Sequence, residues 1–119
     1  MAAIRVELMP EFKGEDVVLV AVDGDGLDAV RSALVEVGQR GGHPLSVEIA
    51  GRRMVFDTRP GEARVDLGTP VPTWTFSRAK IDEIVDKLDA MRASPVPCHN
   101  TVDIDSPVET LFLSKDEYL

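Results

Sequence analysis

The run Val17-Val18-Leu19-Val20-Ala21-Val22 constrains this chain more than any other feature of it. It is apolar throughout and mostly β-branched, so a strand built from it needs cover on both faces. Such cover requires layers of other elements packed around one core. At 119 residues the chain is long enough for one such domain without a metal or disulfide to hold it, and residues 1–119 read as a single unit.

Around that strand the apolar periodicity changes repeatedly. Ile4, Val6 and Leu8 alternate with Arg5, Glu7 and Met9, the period of a half-buried strand. Leu27, Val30, Leu34 and Val37 recur at helical spacing, with Asp25 expected as N-cap, Asp28 in the first turn, and Gly38 or Gly41-Gly42 as the stop. Three short strands are expected next, Leu45 to Ile49, Arg53 to Asp57 and Glu62 to Leu67, joined as a meander by Ala50-Gly51-Arg52 and Arg59-Pro60-Gly61. Thr73 to Phe76 extends the sheet with Trp74 and Phe76 on one side. Ser77 then caps a second amphipathic helix whose stripe is Ile81, Ile84, Val85, Leu88 and Met91. After Pro95-Val96-Pro97, Cys98 to Ile104 and Thr110 to Ser114 read as two closing strands.

Hairpins outnumber crossovers in that order. The expected fold class is therefore α+β, a mostly antiparallel sheet of about six to eight strands with two amphipathic helices on one face. Each helix is followed by a Gly- or Pro-rich break, a histidine (His43 or His99) and a strand, a faint internal echo.

Charge excludes some classes of function. The chain carries a net charge of −8, spread over both halves, and neither half has the basic patch that direct nucleic-acid binding requires. No apolar run is long enough to cross a bilayer. Cys98 is the sole cysteine and the first residues do not form a secretory signal, so a reducing compartment, the cytoplasm, is expected.

The segment Val17 to Leu27, with Asp23-Gly24-Asp25-Gly26 after an apolar strand, resembles the first motif of haloacid-dehalogenase-like phosphatases. That resemblance implies a small hydrolase in which Asp23 is the nucleophile and Asp25 the acid/base, working with a divalent metal. Phosphoryl transfer also needs a cation for the phosphoryl group and further carboxylates for magnesium. No later Gly-Asp or Asp-Asp cluster supplies them, and the sequence favours a turn with an aspartate cap. His43, Cys98, His99 and Asp103 are zinc-type ligands but lack a Cys-x-x-Cys or His-Glu-x-x-His spacing. Cys98 and His99 are sequence neighbours, which on a strand places them on opposite faces. No catalytic residue, metal ligand or cofactor is assigned from the sequence.

A broader likeness lies near the C-terminus. Ser77 to Met91, Cys98-His99-Asn100-Thr101-Val102-Asp103 and Leu111 to Tyr118 resemble the helix, histidine-aspartate strand and acidic final strand of small bacterial proteins, some classed as immunity proteins of polymorphic toxin systems. The resemblance implies a non-enzymatic protein-binding module that neutralises a basic toxin domain. The residues expected to meet such a partner are His99, Asp103, Asp105, Glu109, Asp116, Glu117 and Tyr118. A homo-oligomeric ligand-binding domain, a homodimer through an apolar patch at the Trp74 strand, is the further alternative.

Overall fold

The computed structural model describes residues 2–119. Its elements follow in the order β1 (Ile4–Phe12), β2 (Glu15–Val22), α1 (Gly24–Gln39), β3 (Leu45–Ile49), β4 (Arg52–Thr58), β5 (Ala63–Asp66), β6 (Thr73–Phe76), α2 (Arg78–Arg92), β7 (Cys98–Asp103) and β8 (Thr110–Lys115). Among the described residues the fold is α+β, with eight strands and two helices. The strands divide into two four-stranded sheets, ordered β1-β2-β8-β7 and β3-β4-β6-β5. Consecutive strands pair antiparallel in both, while β2 runs parallel to β8 and β4 parallel to β6.

Every residue from Val17 to Val22 is buried, as an all-apolar strand demands. The expected meander is not formed, because β6 lies between β4 and β5. Residue character explains the exchange. Trp74, Thr75 and Phe76 are buried and suit an interior position, whereas β5 exposes Arg64 and Asp66 and suits an edge. Phe56 of β4 and Trp74 of β6 pair across the parallel seam with ring centroids 5.0 Å apart.

The α1 stripe of Leu27, Val30, Ala33, Leu34 and Val37 is buried, as is the Ile81, Ile84, Leu88 and Met91 stripe of α2. Ser77 caps α2 by accepting from the Lys80 N–H at 3.2 Å. The N-cap of α1 is Asp23, not Asp25; Asp25 stands in the first turn. Position decides this, since Asp23 is the last extended residue and its Oδ1 can accept from the Gly26 N–H at 2.7 Å. The helices lie antiparallel, with Arg31 on Asp89 (2.5 Å), Arg92 on Asp28 (2.9 Å) and Arg78 donating to the Gly38 carbonyl (2.6 Å). Exposed ion pairs contribute little, so the buried stripes hold this pairing. Each helix touches both sheets: α1 meets β2, β3 and β4, and α2 meets β6, β7 and β8.

The echo in the sequence is a structural repeat. Residues of β1 to β4 and of β5 to β8 each form a β-β-α-β-β unit, and exchanging the units maps one sheet order onto the other. Caps Asp23 and Ser77 correspond, and at the same offset Leu27, Val30, Leu34 and Val37 fall on Ile81, Ile84, Leu88 and Met91. Strand registers agree: Val6 pairs with Val20 as Val65 pairs with Trp74, and Val20 pairs with Leu113 as Trp74 pairs with Phe56. Likewise Val47 pairs with Met54 as Val102 pairs with Leu111. The histidines are not counterparts. His99 lies within β7, while His43 precedes β3 in the connection from α1.

Candidate interaction surface

The repeat makes the differences between the units informative, and the outer faces of the two sheets differ most. On the sheet of β3 to β6 that face carries Thr73, Thr75 and Asp57, with Arg59 on Asp57 at 3.2 Å. The corresponding positions on the other sheet are Leu19, Ala21 and Ser114. There Val17, Leu19, Ala21 and Phe112 form a second small core, covered by Met9, Phe12 and Tyr118. Phe12 sits edge-on to Phe112 (5.0 Å) and to Tyr118 (5.2 Å). Lys13, in the β1–β2 turn, holds its ammonium 5.5 Å from the Phe112 centroid and 5.8 Å from those of Phe12 and Tyr118.

Three expected contact residues meet at this cover. The His99 ring stacks on Phe112 with centroids 4.9 Å apart, and its Nδ1 lies 3.2 Å from Glu117 Oε1. Ser114, directly across the strand pair from His99, donates its hydroxyl to the same oxygen at 2.9 Å. Tyr118 is half-buried, and its carbonyl accepts from Arg5 at 3.0 Å. The order of the polar groups decides their chemistry. The carboxylate stands between hydroxyl and imidazole, so the imidazole does not take the serine hydroxyl directly, the contact that a serine-histidine relay requires. Ser114 is also completely buried.

The remaining expected residues do not join them. Asp116 follows β8 with its N–H on the Val22 carbonyl (2.8 Å) and its side chain in water. Asp103, Asp105 and Glu109 lie at the opposite end of β8, where Asp103 pairs with Thr110. Val17 also pairs with Thr110, so Glu15 and Asp16 stand at the same end. All five of these carboxylate residues are exposed. None of them forms an ion pair among the described residues, although Asp and Glu elsewhere hold many such pairs. They are also too dispersed for chelation: among the described residues no three His, Cys, Asp or Glu side chains gather closely enough to hold a metal ion.

The Asp23 region is occupied by structural hydrogen bonds. Asp23 Oδ1 accepts from the N–H groups of both Ala3 (2.9 Å) and Gly26 (2.7 Å). Partial burial pushes its carboxyl up, but these bonds outweigh that effect and hold it below its ordinary value. A depressed folded-state value means that the charged form stabilises the fold above the ordinary carboxylate range, and that this contribution is lost as pH falls through the folded value. Asn at this position still caps but cannot titrate. The stability gap between wild type and Asp23→Asn, measured by denaturant titration, should therefore be widest near neutral pH and close in acid; a gap independent of pH would contradict this assignment.

Cys98 is half-buried and faces the Met91 carbonyl (Sγ to O 3.6 Å), away from the His99 ring, while His43 is exposed. Trp74 and Phe76 are fully buried, so the Trp74 strand offers no exposed ring to a second copy. No helix among the described residues is long and apolar enough to cross a membrane.

Sequence reasoning missed Phe12, Lys13, Phe112 and Ser114 in the aromatic cover. The signal present was Phe112 alternating out of phase with Leu111 and Leu113 on a strand already flanked by apolar residues. It also missed a groove of about 800 Å³ between β1 and β5, lined by Val6, Leu8, Val65, Leu67, Arg52 and Pro107 among others. Leu8 there is 47% exposed, although it belongs to the inward row of β1. Comparison with protein-family models, with curated proteins and with solved structures gives no match to this chain.

Proposed function

We propose that this chain acts by binding another protein, as an immunity-type module that neutralises a basic toxin domain in the cytoplasm, and not by making or breaking bonds. The observation that carries this reading is the group of exposed carboxylates at one end of the β1-β2-β8-β7 sheet: Glu15, Asp16, Asp103, Asp105 and Glu109. Charges that form no ion pair among the described residues and do not gather into a chelating group retain their long-range field. Such a field steers an oppositely charged macromolecule and raises its rate of encounter. The His99 ring stacked on Phe112 and the half-buried Tyr118 against Phe12 add aromatic surface on the outer face of the same sheet.

Stopped-flow association with a panel of basic nuclease toxin domains tests the reading. Wild type should bind one of them at a rate that falls steeply with salt. Asp103→Asn, Asp105→Asn and Glu109→Gln together should slow association by about tenfold at low salt, with little change in thermal stability. Equal rates for wild type and the triple variant, or no binding across the panel, would count against it.

A further inference from the structure

The two β-β-α-β-β units differ in how each finishes its outer strand. Just before β1, Ala3 directs both its N–H and its carbonyl to Asp23, so by alternation Ile4, Val6 and Leu8 turn their main-chain groups away from β2. In β5 the residues turned away from β6 are Ala63, Val65 and Leu67, the counterparts of Ile4, Val6 and Leu8. The β5 edge is occupied: Asp105 N–H donates to the Ala63 carbonyl (2.7 Å), and Val65 N–H donates to the Ser106 carbonyl (3.1 Å). These partners come from the β7–β8 connection, Ile104 to Glu109, which lays a short extended segment beside β5.

The corresponding β3–β4 connection is only Ala50-Gly51, too short to reach β1. Arg52 extends its guanidinium instead, to 3.5 Å from the Val6 carbonyl. Among the described residues no main-chain bond reaches Val6 or Leu8 from this side. The groove lies beside the open edge, lined by Val6 and Leu8, by their counterparts Val65 and Leu67, and by Ser106 and Pro107 of the segment on β5. The inward row of β1 loses cover along its length: Val6 is 2% exposed and Leu8 47%. One edge thus carries an extended segment and its counterpart does not.

We propose that the open edge of β1 takes up an extended segment of a partner protein as an added strand. The incoming main chain bonds to Val6 and Leu8 as Asp105 and Ser106 bond to β5. One apolar side chain of the segment covers Leu8 and Leu67, and a main-chain oxygen receives the Arg52 guanidinium as it leaves Val6. This is strand addition, in which main-chain bonds give affinity and alternate side chains give selectivity. It also protects an edge that is otherwise open to indiscriminate pairing. The inference does not depend on the acidic end of the sheet, so binding here should be nearly insensitive to salt.

The test uses the full chain and a phage-displayed random peptide library as the probe. Selected peptides are measured by titration against wild type and Leu8→Pro, with amide hydrogen exchange read at each residue. Proline at position 8 removes an N–H that faces away from β2, so the β1–β2 ladder survives while the edge loses a donor. We expect enriched peptides that slow exchange at Val6 and Leu8 and bind Leu8→Pro at least about tenfold more weakly, the worth of one buried hydrogen bond. Leu8→Lys keeps the N–H but removes the apolar cover, and should weaken the same peptides if Leu8→Pro fails to fold. Absence of enriched peptides, or binding unchanged in the variants with no protection at Val6 and Leu8, overturns the proposal. Concentration-dependent protection of Val6 and Leu8 without peptide would make the occupant a second copy, and also overturns it.

Discussion

Replacing Trp74 by alanine should remove about 3–5 kcal/mol of stability, a large part of the roughly 5–15 kcal/mol available to a domain of this kind. Trp74 is fully buried in the interior strand β6, between Val65 on β5 and Phe56 on β4. Its ring lies 5.0 Å from Phe56 and 6.4 Å edge-on from Phe76. Alanine would leave a cavity at the seam joining the two β-β-α-β-β units within that sheet, where neighbouring strands cannot collapse without giving up the parallel pairing of β4 with β6. Phenylalanine should behave differently. The Trp74 Nε1–H is buried with no hydrogen-bond partner among the described residues. An orphaned donor of this kind costs about 1–3 kcal/mol, so Trp74→Phe loses ring volume but also loses that penalty. Its net cost should be less than half that of alanine. Urea denaturation followed by far-UV circular dichroism measures both, since Trp74 is the sole tryptophan and its fluorescence disappears in either variant. Equal losses for the two variants would show that the indole N–H is satisfied and that burial alone does not account for the site.

The sequence disclosed the elements well because each carries its own period. The helical stripes at Leu27 to Val37 and Ile81 to Met91, and the all-apolar Val17 to Val22 run, are local signals that burial in the fold reinforces. Strand order was less legible. A turn such as Arg59-Pro60-Gly61 shows that the chain reverses, not which neighbour the next strand joins. Here Arg59 N–H bonds to the Phe76 carbonyl and Thr58 Oγ1 to the same oxygen (2.8 Å), tying β4 to a strand beyond the one that follows it. The contact residues show the same division. His99, Glu117 and Tyr118 meet through the aromatic cover, but Asp103, Asp105 and Glu109 are carried by β8 to its far end, a separation that an acidic sequence pattern does not reveal. The groove was hidden for a related reason. Leu8 reads as one more inward residue of an alternating strand, and its pattern does not reveal that the β3–β4 connection is too short to lay a segment beside β1.

Gly26→Ala should destabilise the chain by about 1–3 kcal/mol, against the usual direction for a helical glycine, where alanine gains about 1 kcal/mol. A Cβ at position 26 would sit 2.2 Å from the Ala3 carbonyl oxygen and 3.2 Å from its carbonyl carbon. Both are main-chain atoms, so no side-chain rotation relieves the clash. Moving Ala3 would disturb the bonds that fix the start of β1: Asp23 N–H to the Ala3 carbonyl, and Ala3 N–H to Asp23 Oδ1 (2.9 Å). The second glycine of Asp23-Gly24-Asp25-Gly26 therefore has a steric purpose, the close passage of one main chain over the first turn of α1. Gly24 supplies the control within the same motif. Nothing lies within 4 Å of a Cβ there, so Gly24→Ala should be neutral or stabilising, by up to about 1 kcal/mol. Thermal and urea denaturation of the two variants should give opposite signs, and amide exchange in Gly26→Ala should be fastest at Ala3 and Ile4, where β1 is released. Equal effects at positions 24 and 26 would mean that Ala3 yields without cost. The motif would then be a flexible turn whose glycines are interchangeable, and Asp23 would be free to leave the cap, as a catalytic aspartate must.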